Sequence, residues 1–134
     1  SSVANVTGDG TTYTVLFGTE RFDQGGDLSE TDVTTFTAPV TGRYLLHFCF
    51  KIDGITSGHT GSLVNIVTSN ATYIPYQGNL FSYAQSDTAV VNGSIICDMD
   101  DCDTARISLY VGGGAKVIDL NTSTNTNFGG YLLA

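Results

Sequence analysis

From Tyr44 to Phe50, large apolar side chains fall at every second position, Tyr44, Leu46, Phe48 and Phe50. Arg43, Leu45, His47, Cys49 and Lys51 fill the positions between and around them. A period of two puts the first set on one face of a β-strand and the second on the other. Shorter runs of the same kind occur at residues 11–17, 34–38, 61–69, 71–76, 94–99, 103–111, 115–120 and 129–134, with Gly- and Asp-rich turns between them. The pattern predicts nine or ten strands and no helix of useful length. An all-β, antiparallel sandwich follows, and a ten-stranded jelly roll is the form that suits this length. An immunoglobulin sandwich fits less well, because the chain has no Trp to pack between paired cysteines. Within this scheme residues 94–111 read as a β-hairpin turning at Asp100–Cys102. Ile95, Cys97 and Met99 share one face of its first strand, and Ile107, Leu109 and Val111 share a face of its second.

Composition narrows the partners. With 134 residues, 41% of them hydrophobic, the chain is read as one domain spanning residues 1–134, with the first ten residues the most flexible part. Thirteen acidic against five basic residues give a net charge of −8, which repels nucleic acid and anionic membranes. No apolar run reaches the roughly 20 residues a membrane helix needs, so membrane insertion is not expected. The N-terminal SSVANVTGDG lacks the basic and apolar regions of a signal peptide, as in a mature chain or one cut from something longer. Three cysteines, Cys49, Cys97 and Cys102, cannot all pair within one chain, so at least one buried free thiol is expected. Asn-x-Ser/Thr sequons begin at Asn5, Asn70, Asn92 and Asn121, a pattern that an Asn-, Thr- and Ser-rich chain also generates by chance.

Candidate chemistry is sparse. The only histidines are His47 and His59, and GITSG at 54–58 has the wrong spacing for a nucleophile elbow. Phosphate loops, HExxH and paired cysteine clusters are missing as well, so no enzyme activity is expected. His47 and Cys49 lie two apart on one strand face and could offer two soft metal ligands, but no third is visible, and a partly buried pair is the simpler reading. Asp98, Asp100, Asp101 and Asp103 place four carboxylates within six residues, an oxygen-rich turn that makes them the candidate Ca²⁺ ligands. Their spacing is not that of an EF-hand, and a solvated turn is the default. Phe17, Phe36, Tyr44, Phe48 and Phe50 are expected in the core, with Pro39 in the turn entering the strand and Gly42 where a side chain would not fit.

Several spacings together point to a family. Phe36 is followed after five residues by Gly42, then by Tyr44, Leu46 and Phe48. Upstream, Phe17 is followed after five residues by Asp23 and after four more by Leu28. DDCDTA, Asp100 to Ala105, stands where a tight Gly-Asp turn is usual, with Cys102 replacing the Gly, and FGGYLLA closes the chain. This combination resembles the C1q-like globular heads of the C1q/TNF jelly-roll superfamily. Leu46 replaces the usual Phe, the gap from Leu28 to Phe36 is one residue longer than usual, and residues 53–93 carry no placed motif. TGDGTTYTV, RFDQGG and FTAPVTGRY are most similar to the heads on phage tail fibres and other microbial or viral surface proteins.

The resemblance implies a homotrimer serving as a non-enzymatic binding head for a host cell-surface receptor or glycan. It further implies display at a fibre tip, on a virion surface or otherwise extracellularly. A trimerisation cap or capsid decoration domain without a ligand, and a secreted cytokine-like ligand, are the alternatives. Three acidic copies must hydrate, protonate or bridge their carboxylates near the axis, so Ca²⁺ is an expected stabiliser if any cofactor is used.

Overall fold

The computed structural model describes residues 2–17, 34–121 and 126–134. The strands in chain order are β1 (Ser2–Thr7), β2 (Thr12–Thr14), β3 (Phe36–Thr37), β4 (Gly42–Asp53), β5 (Gly61–Thr68), β6 (Thr72–Gly78), β7 (Ala89–Met99), β8 (Thr104–Gly112), β9 (Ile118–Asn121) and β10 (Asn127–Leu132). One turn of 3₁₀ helix, Leu80–Tyr83, joins β6 to the segment before β7 and is capped by Asn79, whose Oδ1 accepts from Phe81 N at 3.0 Å. The signature positions Asp23 and Leu28 lie outside the described residues.

Among the described residues all pairing between the strands is antiparallel, in two sheets. In sheet A, β7 occupies one edge of β4 from residue 42 to 52, so β9 and β10 must share the other edge, β9 opposite residues 51–53 and β10 opposite 44–49. They are two segments of one strand track, with β1 beyond β9. In sheet B, β5 takes one edge of β8, while β2 and β3 lie end to end along the other, and β6 flanks β5. The ten strands of the described residues therefore form two four-track sheets, and the chain passes repeatedly from one to the other, the winding of a jelly roll.

The alternation in β4 is realised without exception. Tyr44, Leu46, Phe48, Phe50 and Ile52 are buried and face β8's Ile107, Leu109 and Val111 across the core. Burying each such side chain contributes about 1.5–3 kcal/mol. Phe17 packs against Phe128 with the rings tilted by 36° and their centroids 5.3 Å apart, and Phe36 meets Tyr44 edge-on at 5.9 Å. Tyr44 also closes the turn before its own strand: its hydroxyl donates to Val40 O at 2.5 Å and accepts from Val40 N at 3.2 Å. Gly42 follows this turn where a Cβ would lie 2.5 Å from Leu132 Cδ1 and 2.8 Å from Ala134 O. The close approach of the C-terminal strand thus explains the glycine.

Three expectations differ from the structure. Residues 94–111 do not form a hairpin, because β7 pairs with β4 in sheet A while β8 pairs with β5, β2 and β3 in sheet B. The turn carries the chain across the sandwich, so the inner faces of β7 and β8 reach one core from opposite sides. β7 begins at Ala89, five residues before the run expected at 94–99, and passes through Asn92-Gly93. The glycine is there because a Cβ would lie 2.9 Å from Phe48 Cζ. Most of the N-terminal stretch expected to be flexible is β1, with Val6 and Thr7 buried. Its alternation is hidden by a register shift between Val3 and Thr7, where Asn5 adopts φ 54°.

Candidate functional site

The acidic turn is built from backbone demands. Cys102 adopts φ 72°, the left-handed conformation for which glycine is the usual choice. Its N–H donates to Ala38 O at 2.9 Å, and Asp103 N closes the turn on Asp100 O at 2.9 Å. Asp103 Oδ2 accepts from Asp100 N at 2.9 Å and from Asn70 Nδ2 at 2.7 Å. Asp98 lies one strand position back and pairs with Arg43 at 2.9 Å, a contact that holds its carboxyl below the ordinary range and raises Arg43. Asp101 N donates to Thr41 Oγ1, and the Asp101 carboxylate accepts from Cys102 Sγ, raising that thiol. The carboxylates of Asp98, Asp101 and Asp103 are therefore spent on separate partners, while Asp100 serves the turn through its backbone N–H and carbonyl. Among the described residues no group of three or more His, Cys, Asp or Glu is arranged to hold a metal ion, His47 and Cys49 included.

His59 is structural in its contacts: buried, it accepts from Thr56 N at Nδ1 (2.9 Å) and donates from Nε2 to Ala115 O (2.9 Å). It ties the loop after β4 to the loop before β9. All three thiols are unbridged, with Cys97 buried, Cys49 half-buried and Cys102 exposed. The expectation of a buried free thiol is met by Cys97.

Two apolar surfaces remain unexplained by folding. The first is the outer face of sheet A. There Leu45 lies between Tyr131 and Ile96, and His47 between Gly129 and Ser94, because directly paired residues share a face. The His47 and Tyr131 rings stack at 5.5 Å and 13°. His47 Nε2 is buried and has no hydrogen-bond partner, and burial lowers the imidazole pKa below its ordinary 6.5. Burial likewise raises the Cys49 thiol. Ile96, on the β7 side, is 60% exposed.

The second surface is the open side of the sandwich between β6 and β7. Tyr83 projects from the 3₁₀ turn with 72% exposure, meeting Tyr76 edge-on at 6.1 Å. With Leu80, Val90 and Val91 these rings line a hollow of about 210 Å³. The Tyr76 hydroxyl is buried without a partner, and burial followed by the neighbouring Tyr83 raises its pKa. Ile74 adds a further exposed apolar side chain on β6. No motif marked this surface, although Tyr76 and Tyr83 flanking an Asn-capped turn are the signal a reader could have used.

With fold and surfaces described, the class is clear: the protein has a C1q/TNF-like jelly-roll fold. A crystal structure of murine APRIL, determined at pH 8.5 and a TNF-family jelly roll, matches it with a TM-score of 0.59 at 13% sequence identity, covering 100% of this chain and 92% of that one. At that identity the likeness is one of fold. No protein-family model matches the sequence, and no curated protein matches it. Among the described residues no helix is long and apolar enough to cross a membrane.

Proposed function

We propose that the protein is a homotrimeric, non-enzymatic binding head that recognises a receptor or glycan on a cell surface. It would be displayed extracellularly, at the tip of a phage tail fibre or on a virion. The observation that carries the reading is the pair of unlike apolar surfaces. The His47–Tyr131–Ile96 face is broad and stacked, while the Tyr76–Tyr83–Val90 side is a narrow aromatic ridge around a hollow. In this reading each surface is covered by the other on a neighbouring copy. Repeating such a head-to-tail contact closes a ring when the rotation allows it. The number three comes from the resemblance to C1q/TNF heads. Asp98, beside Ile96 on the first surface, is held by Arg43, which neutralises that carboxylate where the faces would meet.

Three copies would turn a weak contact into useful avidity. Light scattering on the purified protein should give three times the monomer mass, and fluorescently labelled protein should bind whole cells or a glycan array. A monomer at micromolar concentration would remove the trimer. A trimer that binds no cell and no glycan would turn the reading into that of a structural cap for a fibre or capsid.

A further inference from the structure

On the outer face of sheet B, Gly61 is paired with Gly112, while Leu63 stands between Tyr110 on β8 and Gln77 on β6. Two adjacent glycines leave a gap in the layer of outward side chains. Tyr110 leans into it: a Cβ on Gly112 would lie 2.8 Å from the Tyr110 hydroxyl oxygen and 3.3 Å from Cζ, so the ring lies along its strand, against the backbone. At Gly61 a Cβ would meet no heavy atom within 4 Å. The result is an open trough of about 450 Å³ that Tyr110 and Leu63 line together with the Gln77 and Asn79 side chains and Thr60. Asn79 is oriented by its capping bond through Oδ1 to Phe81 N, which leaves its Nδ2 to donate elsewhere. Ser62, between the outward Gly61 and Leu63, turns its side chain to the core face with Val64 and Val111 and contributes only backbone to the trough floor.

This combination has a chemical preference. An aromatic ring lying along the sheet offers an apolar platform for the C–H face of a pyranose, and side-chain amides and hydroxyls match its alcohols as both donors and acceptors. Among the described residues no Lys, Arg, Asp or Glu lines the trough, and the chain carries −8, so an anionic sugar would find no countercharge. We propose that the trough is a subsite for a neutral saccharide. The proposal rests on the binding-head reading and names where on the head the ligand sits.

The test is a glycan array followed by NMR titration of the intact protein with methyl glycosides of neutral hexoses and N-acetylhexosamines. Binding of neutral glycans is expected, reduced roughly tenfold or more in Tyr110→Ala and in Gly61→Phe. Gly61→Phe fills the trough at a position with room for a side chain, so its mass and melting temperature should match those of the unsubstituted protein. Binding only to anionic glycans overturns the proposal, as does undiminished binding by both variants. Cell binding retained at full strength in Gly61→Phe would overturn this subsite while leaving the binding head intact. Failure of the unsubstituted protein to bind any cell or glycan would overturn both.

Discussion

The two sheets have equivalent inner faces and opposite outer ones. β4 and β8 are the central strands, each contributing buried aliphatic or aromatic side chains to one core. Outside, β4 carries Leu45, His47 and Cys49 in a half-buried layer under Tyr131, whereas β8 presents Arg106, Ser108, Tyr110 and then Gly112. The first layer is filled and apolar, with an imidazole nitrogen left without a partner. The second is interrupted by glycine and opens a trough. Inner faces are constrained by packing and so converge, while outer faces are free to differ, and the proposed reading uses that difference by covering the outer face of sheet A with a neighbouring copy and placing ligand contact on the outer face of sheet B.

The strongest way to break this division is a charge on each outer face. Ile96→Asp places a carboxylate in the face proposed to be covered by a neighbouring copy, and an unpaired charge buried there costs about 3 kcal/mol or more. That corresponds to a roughly hundredfold weaker association. Light scattering should show monomer with an unchanged far-ultraviolet circular dichroism spectrum. The matched change Val67→Asp lies on sheet B opposite Arg106 and should leave the mass trimeric. Equal behaviour of the two variants would erase the distinction between the faces.

Acid should produce a smaller effect of the same kind. His47 is flanked on its own face by Leu45, Cys49, Ser94, Gly129 and Tyr131, with no carboxylate among them, and the charged residues Arg43 and Lys51 lie two alternations away along β4. Burial depresses its pKa, so the neutral ring is the one the packed face accommodates. Its contribution is complete above its ordinary pKa of 6.5 and declines as pH falls below that value toward the depressed one. Sedimentation at pH 7.5 and pH 5.5 should show weaker association at the lower pH, and His47→Phe should flatten the dependence. A pH-independent trimer would mean that His47 is not covered. The smallest expected effect is that of chelation. Because Asp98 and Asp103 already have partners and Asp101 is bonded to Cys102, adding EDTA should change neither mass nor melting temperature. A fall in either would restore the Ca²⁺ reading of the acidic turn.

The aromatic strand, the core positions Phe17, Phe36, Tyr44, Phe48 and Phe50, and the turns around Pro39 and Gly42 were legible because alternation and close packing leave their mark residue by residue. β1 was not, since a bulge at Asn5 breaks the period that would have revealed it. The acidic turn was legible as a turn but not as to its destination. A tight turn with a left-handed Cys102 serves a hairpin and a sheet crossing equally well. Neither the Tyr76–Tyr83 ridge nor the glycine trough has a sequence period, because each gathers residues from separate strands.

Local alternation thus pointed to an antiparallel sandwich and to the aromatic side chains of β4 that help fill it, because burial acts on each strand through its own two faces. Only the tertiary structure decided that β7 and β8 part company, that four neighbouring carboxylates do not converge, and that His47 lies beneath Tyr131 while Tyr110 borders an open trough. Those outcomes depend on which strands become neighbours. Strand order is set by the closure of the whole sandwich, and no single segment carries it.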